Sequence, residues 1–259
     1  MSSLDLLALV VIFFATSVIS VVTGATSLIT VPALLAFGVP PTVALGTNML
    51  ALTALSVGAS VPFLGGDTLD RSRLPALIGL TLIGSIAGAL LVFRVPPTIL
   101  PLIIAVAMLV VAVVVLRSAR RATPELPSPQ HGPFVGYVLT LLLAVYGGFF
   151  SGGYVTLLTA AFVTAFQMPF LRAVATTKVV NVASSLVATV IFAWRGVIDW
   201  RLGAVLAVMM YVGATLGARW TLRLPEAVVR RVFVVTVVLL AIKTLALDVP
   251  WGQLEQLSP

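Results

Sequence analysis

Ten apolar runs follow one another along this chain with little polar sequence between them. They lie at about Leu4–Val22, Leu28–Phe37, Val43–Phe63, Leu74–Phe93, Ile99–Leu116, Pro133–Phe150, Val155–Phe166, Ala173–Trp194, Leu202–Leu222 and Val228–Leu247. Eight of them are 18–22 residues long, the length of helix that crosses about 30 Å of hydrocarbon. Because lipid offers no hydrogen bonds, such segments must satisfy their backbone internally, as helices or as a closed barrel. Ten-residue alternating patterns are absent, which excludes the barrel. With 60% hydrophobic and 9% charged residues, the chain lacks the polar surface that a water-soluble domain of this size requires. Leu4–Val22 is preceded by no basic region and followed by no small-residue cleavage site, so it is expected to be a retained helix.

Leu28–Phe37 and Val155–Phe166 are too short to cross alone. Each follows a break rich in small residues, Thr23-Gly24-Ala25-Thr26-Ser27 in one case and Gly147-Gly148 through Ser151-Gly152-Gly153 in the other. These breaks occupy equivalent places in a duplicated unit. Adding 129 to a first-half number pairs Gly24 with Gly153, Leu28 with Leu157, Thr30 with Thr159, Pro40 with Pro169 and Thr47 with Thr176. The same offset continues through Ser56/Ser185, Asp70/Asp199, Gly84/Gly213, Gly88/Gly217 and Pro96/Pro225. One gapless offset over so long a stretch identifies a repeat. Short, Gly-interrupted segments at corresponding places in two halves point to a secondary transporter's binding site. The expected fold is an all-α integral membrane protein of two homologous repeats, each with about four spanning helices plus one short broken or re-entrant helix. The repeats are residues 1–117 and 133–259, joined by a polar linker at 118–132.

Charge bias distinguishes two topologies. If each short segment extends its neighbour, the Arg and Lys at segment ends divide eight against six. If each turns back as a re-entrant half-helix, the repeats are inverted and the division is ten against four. The positive-inside rule favours the second arrangement, with both termini outside the cytoplasm in a multi-pass cell (inner or plasma) membrane protein.

Lys178 is the residue that demands a function. It lies inside Ala173–Trp194, and no acidic residue occurs between Glu125 and Asp199 to pair with it locally. A cation in hydrocarbon costs about 2.5–3.5 kcal/mol on insertion scales, so it faces a partner, a ligand or a water-filled cavity. Three resolutions compete: a transient anion, backbone carbonyls as acceptors, or a side chain that snorkels to the interface. On a helix Lys178 shares a face with Asn181 and Ser185, and Thr177 with Asn181 and Ser184. Ammonium, amide and hydroxyl groups all donate to anionic oxygens. Ser151, Gly152 and Gly153 add backbone N–H groups at a half-helix start, where the positive dipole end favours an anion. Gly24 and Ser27 offer the same from the first half. Thr176, Thr47 and Asn48 complete the candidate substrate-binding set, with Asn48 and Asn181 equally able to serve as interhelical glue.

Other features read as structural. The Gly84/Gly88 and Gly213/Gly217 pairs suit close helix packing. Asp70 and Asp199, at equivalent turns beside arginines, suit helix caps or loop ion pairs. Ser56, Ser60 and Thr189 suit backbone or interhelical hydrogen bonds. No cysteine is present and the single histidine, His131, lies in the linker, so neither a metal site nor a cofactor is expected. The acid/base and nucleophile sets of an enzyme are missing as well. The net charge of +7 sits mostly at segment ends, where it serves topology and lipid headgroups, not nucleic acid. The expected partners are a small anion and the bilayer, and a homo-oligomer is compatible with the sequence. An anion channel, a carrier for another oxyanion or carboxylate, and a non-transporting accessory subunit are the alternatives.

Two stretches carry a family resemblance. Thr23-Gly24…Thr30-Val31-Pro32 followed by Gly38-Val39-Pro40-Pro41 and Ala44-Leu45-Gly46-Thr47-Asn48 resembles the first repeat of the TauE/SafE (sulfite exporter) permeases. Gly147 through Gly153, then Ala175-Thr176-Thr177-Lys178…Asn181…Ser184, then Arg195-Gly196…Asp199-Trp200, resembles the second. The resemblance implies a permease that exports small sulfur-containing anions such as sulfite or organosulfonates, with Lys178 and Asn181 at the family's lysine and asparagine. Ala25-Thr26-Ser27 and Tyr154-Val155 stand where extra glycines are common. Their larger side chains would narrow the pocket or change which oxyanion fits.

Overall fold

The computed structural model describes residues 2–24, 26–64, 68–107, 110 and 133–223. Among these there is helix and no strand. Eight helices carry the architecture: α1 (Ser3–Thr23), α2 (Ser27–Ala36), α3 (Pro41–Ser60), α4 (Leu74–Val92), α5 (Pro133–Phe149), α6 (Tyr154–Ala165), α7 (Phe170–Trp194) and α8 (Trp200–Arg223). The run at Ile99–Leu116 is helical over 100–107. Residues 108–109 and 111–116 of that run, the linker and the run at Val228–Leu247 lie outside the described residues.

Local chemistry sets the boundaries. α1 opens with a capping box, the Ser2 hydroxyl taking the Asp5 N–H while the Asp5 carboxylate takes that of Ser2, which satisfies donors that a helix start otherwise leaves orphaned. It stops at Gly24, held in the left-handed conformation at φ 67° with its N–H on the Ser20 carbonyl, a geometry that glycine adopts at no steric cost. α6 starts just after Gly153, also left-handed at φ 75°. α3 and α7 each follow a proline, Pro40 and Pro169, with nearly the same dihedrals (φ −55°, ψ 142° and φ −51°, ψ 141°). The positions paired by the offset of 129 therefore share backbone geometry as well as residue type.

α1, α3, α4, α7 and α8 are long and apolar enough to cross a membrane, whereas α2, α5 and α6 are shorter apolar helices. α5, at 17 residues, reaches about 25 Å. The distribution of side chains is inside out. On α7, Leu186, Val190 and Trp194 are exposed at successive four-residue steps, while Thr176, Thr177, Lys178, Asn181, Ser184 and Ser185 are buried. In lipid that outward stripe needs no cover, and the polar groups are shielded from hydrocarbon.

At the centre α3 packs against α7, with α8 leaning on α3 and α4 on α7; α1 then covers α8, and α5 covers α4. The last two contacts use the glycine pairs. A Cβ on Gly88 would strike the Val145 carbonyl of α5, and one on Gly217 would strike the Val18 carbonyl of α1. Gly84 and Gly213 are similarly crowded, by Ala144 and the Leu141 carbonyl and by Ser17 and the Phe14 carbonyl. Without a hydrophobic drive in lipid, such close backbone approach is what holds helices together.

Candidate functional site

The two helix breaks meet. Gly24, at the end of α1, lies against the start of α6, where an added Cβ would come within 2.7 Å of Val155 Cβ and 2.9 Å of the Thr156 backbone nitrogen. Reciprocally, a Cβ on Gly152 would meet Leu28, in the first turn of α2, at 2.8 Å. Neither α2 nor α6 receives a side-chain cap at its N-terminus. The positive ends of both short helices thus lie close together, where they favour negative charge. Ser151 is left-handed at φ 66°, and its carbonyl accepts the Tyr154 N–H. The Gly152 carbonyl accepts the Tyr146 hydroxyl.

Lys178 projects from α7 into this region and is 1% exposed. Its Nζ donates to the Ser20 carbonyl at 3.0 Å, the same oxygen that accepts the Gly24 N–H at 2.7 Å. Of the three resolutions open to this residue, snorkelling is excluded and a backbone carbonyl is engaged. The position is favourable because the last carbonyls of a helix carry the negative end of its dipole. An ammonium has three hydrogens to donate, and Ser20 takes one of them. No carboxylate comes within ion-pair distance of it among the described residues.

Asn181, one turn further along α7, donates from Nδ2 to Ser56 Oγ of α3 at 2.7 Å. Its Oδ1 is buried without a hydrogen-bond partner. Sequence reasoning assigned Ser56 to structural bonding. Its bond is interhelical, and it joins a candidate site residue. Nothing in the sequence could mark Ser20, since only its backbone oxygen is involved.

The remaining candidates divide into three groups. Asn48 is fully engaged within its own half: Nδ2 donates to Ser27 Oγ at 3.0 Å, and Oδ1 accepts from the Thr30 hydroxyl at 2.7 Å. Thr177 stands at the equivalent place, 3.1 Å from Thr159, with its hydroxyl on the Val174 carbonyl. Thr47 and Thr176 fasten loops of the opposite half. The Asp199 N–H donates to Thr47 Oγ1 at 3.0 Å, and the Asp70 N–H donates to Thr176 Oγ1 at 3.2 Å. These two bonds are related by the offset of 129. Asp199 also caps α8 through the Leu202 N–H, while Asp70 binds the Arg73 guanidinium. The aspartates are thus cap and ion pair, as their sequence setting suggests.

A third region escaped the sequence reading. Tyr154, Thr81 of α4 and Ser184 of α7 are buried together. Thr81 and Ser184 lie close enough to interact with the Tyr154 hydroxyl, although among the described residues neither the Tyr154 nor the Thr81 hydroxyl closes a hydrogen bond of regular geometry. The only hint in the sequence was the departure of Tyr154 from the expected glycine.

Fold and centre together define a polytopic helical membrane protein whose polar interior surrounds a buried cation and two converging helix starts. The family model described as "Sulfite exporter TauE/SafE" matches residues 8–244, and the chain belongs to that family. It is a membrane transporter and not an enzyme. Similar proteins include a "Probable membrane transporter protein" of Haemophilus influenzae, 28% identical over 90% of this chain and 91% of its own length. "Probable membrane transporter protein YfcA" of Escherichia coli K12 is 27% identical over 92% and 90%. "Probable membrane transporter protein ORF9" of a Sinorhizobium species is 28% identical over 90% and 89%. No solved structure matches.

Proposed function

We propose that this transporter carries a small sulfur-containing anion, such as sulfite or an organosulfonate, out of the cell. The anion binds where the two helix breaks converge, with its charge on Lys178. The observation that carries this reading is a buried ammonium that holds one backbone carbonyl and, among the described residues, no carboxylate. A helix-end carbonyl offers only partial negative charge, so an uncompensated unit charge is left for a ligand to neutralise. Asn181, with an amide oxygen still unpartnered, and the uncapped starts of α2 and α6 adjoin it. Ser27, Gly24, Ser151, Gly152 and Gly153 shape those starts, while Thr47, Asn48, Thr176 and Thr177 hold the surrounding helices in place.

The reciprocal bonds Asp70–Thr176 and Asp199–Thr47 support two repeats of 1–117 and 133–259 arranged about a common axis. In this reading the repeats are inverted, and transport proceeds by one moving against the other around a site near the midplane. The protein resides in the inner or plasma membrane with both termini outside the cytoplasm. A C-terminal reporter active only in the cytoplasm should stay silent, and a bright one refutes that orientation.

Sulfite and taurine uptake into proteoliposomes tests the function. Saturable flux with counterflow is expected for a carrier, whereas single-channel currents would indicate a channel. Lys178→Met should reduce flux to the liposome background while the unfolding temperature holds or rises, because an apolar side chain replaces a buried charge. A second reading is favoured by the Lys178–Ser20 bond itself: the lysine is a clamp between α7 and the end of α1. In that case Lys178→Met lowers the unfolding temperature and leaves anion affinity at the wild-type level, and the transport site lies elsewhere.

A further inference from the structure

Among the described residues, Lys178 is the only charged side chain that a helix holds away from its ends. Asp5, Arg172, Arg201, Arg219 and Arg223 all fall within the first or last five residues of their helices, and α2 to α6 contain no Asp, Glu, Lys, Arg or His. Arg172, Arg201 and Arg219 are exposed, whereas Lys178 is buried. In the apolar run at Val228–Leu247, Arg230, Arg231 and Lys243 likewise stand toward the ends of the sequence segment. The lysine therefore gives the buried centre a formal charge of one positive unit.

The helix ends around it leave that charge nearly unchanged. Each break joins the C-terminus of one helix to the N-terminus of the next, α1 to α2 and α5 to α6. Their partial charges, about half a unit each and opposite in sign, offset one another beyond the break itself. The starts of α2 and α6 receive no side-chain cap, so they can orient an anion through hydrogen bonds while adding little net charge. Lys178 is tied directly to one of these breaks, because its Nζ shares the Ser20 carbonyl with the Gly24 N–H.

We infer that this transporter selects by charge number: the centre at Lys178 takes anions with one negative charge and rejects anions with two. The inference rests on the reading of Lys178 as the anion's site and narrows the substrate class. A monoanion on Lys178 forms a neutral pair, which a low-dielectric interior tolerates. A dianion leaves one unit uncompensated, and the insertion cost of a lone charge in hydrocarbon corresponds to about a hundredfold in affinity. Organosulfonates without a second acid group meet this condition. Of sulfite, the singly protonated ion meets it and the dianion does not. The discrimination is by charge, so a dianion no larger than an accepted monoanion is still refused.

Matched probes test this on the purified full chain, by thermal shift and competition at constant ionic strength. Methanesulfonate and sulfate are tetrahedral ions of similar size with one and two charges. Ethanesulfonate and ethane-1,2-disulfonate share a carbon skeleton and differ in the same way. In each pair the singly charged member should bind wild type about a hundredfold more tightly. A second cation should weaken that preference. Met49 of α3 holds the place that the offset of 129 relates to Lys178, and it is buried, so Met49→Lys adds an ammonium to the interior. The monoanion preference should then narrow by about tenfold or more.

A wild-type ratio below about tenfold in either pair overturns the inference, as does a folded Met49→Lys protein with an unchanged preference. Should Met49→Lys fail to fold, the wild-type ratios decide. Lys178→Met, run in parallel, separates this failure from that of the underlying reading. If wild type and Lys178→Met bind the monoanions alike, or wild type binds none of the four probes, the anion site at Lys178 is itself wrong. If Lys178→Met loses binding while wild type takes monoanions and dianions equally, only the charge selectivity falls.

Discussion

The two halves of this protein share a frame and differ in what it holds. Subtracting 129 from Lys178 and Asn181 gives Met49 and Leu52, both buried in the apolar core. In the first half the polar cluster closes on itself: Ser27, Thr30 and Asn48 satisfy one another. In the second half, Lys178 has donors to spare and the amide oxygen of Asn181 is unmatched. A saturated polar cluster is a fastener, whereas an unsaturated one is costly unless something arrives to complete it. The duplicated helices supply the same scaffold twice, and the two copies hold different polar clusters.

That contrast can be broken first at the scaffold. Gly88 and Gly217 are equivalent, and each lets another helix's carbonyl lie where a side chain would otherwise sit. Gly88→Val and Gly217→Val should both be severe, each costing about 3 kcal/mol or more because backbone, not a flexible side chain, blocks the new methyl groups. Thermal unfolding in detergent measures it. Similar losses support an equivalent scaffold, and a loss confined to one helix pair would show that only that half depends on close packing.

A sharper test compares the two asparagines. Asn48→Leu strands the Ser27 hydroxyl and leaves the Thr30 hydroxyl only the Thr26 carbonyl, so stability should fall by about 1–3 kcal/mol, with affinity for the transported anion preserved in the folded fraction. Asn181→Leu strands the buried Ser56 hydroxyl but also removes a carbonyl that already lacks a partner, so its stability cost should be the smaller, about 1 kcal/mol. Anion affinity should drop about tenfold or more. Unfolding temperature and binding, measured on both variants, should rank them in opposite orders. Identical rankings would mean that the two clusters do the same job.

Much of this frame was legible in the chain itself. Apolar runs placed α4 and α6 within a residue at each end, because lipid-facing and buried helix surfaces are both apolar and only their ends carry signals. Glycine at both breaks marked where helices begin and stop, whereas the runs at Val43 and Ala173 began two or three residues after the true starts of α3 and α7, which follow Pro40 and Pro169. Which helices would touch was less legible. The glycine pairs predicted close approach, but not that α4 would meet α5 and α8 would meet α1. The charge of Lys178 stands out in the sequence because it is rare, whereas the Ser20 carbonyl that accepts from it belongs to the backbone and leaves no mark there. Thr47 and Thr176 were visible as a repeated motif, yet that their hydroxyls serve opposing loops depends on how the helices pack.

The smallest effect is expected at the paired loops. Asp70 lies outside the spanning helices and is nearly buried, while Arg73 is 37% exposed. Burial is the largest influence on the Asp70 carboxyl and pushes its pKa up. Hydrogen bonds from Ser72 and Arg73, together with the guanidinium charge, outweigh burial and hold it below the ordinary value. A carboxylate whose folded pKa is depressed contributes stability above its unfolded pKa and loses it as pH falls through the folded one. Arg73→Gln should therefore lower the unfolding free energy at neutral pH by less than about 1 kcal/mol, given the exposure of the arginine. The difference from wild type should shrink on acidification through and below the usual carboxylate range. Arg201→Gln, beside the equivalent Asp199, should leave the unfolding free energy at neutral pH within about 0.5 kcal/mol of wild type, because Asp199 spends its carboxylate on the Leu202 N–H and forms no ion pair among the described residues. Equal losses at the two loops at neutral pH would erase this asymmetry and return the halves to equivalence at their edges.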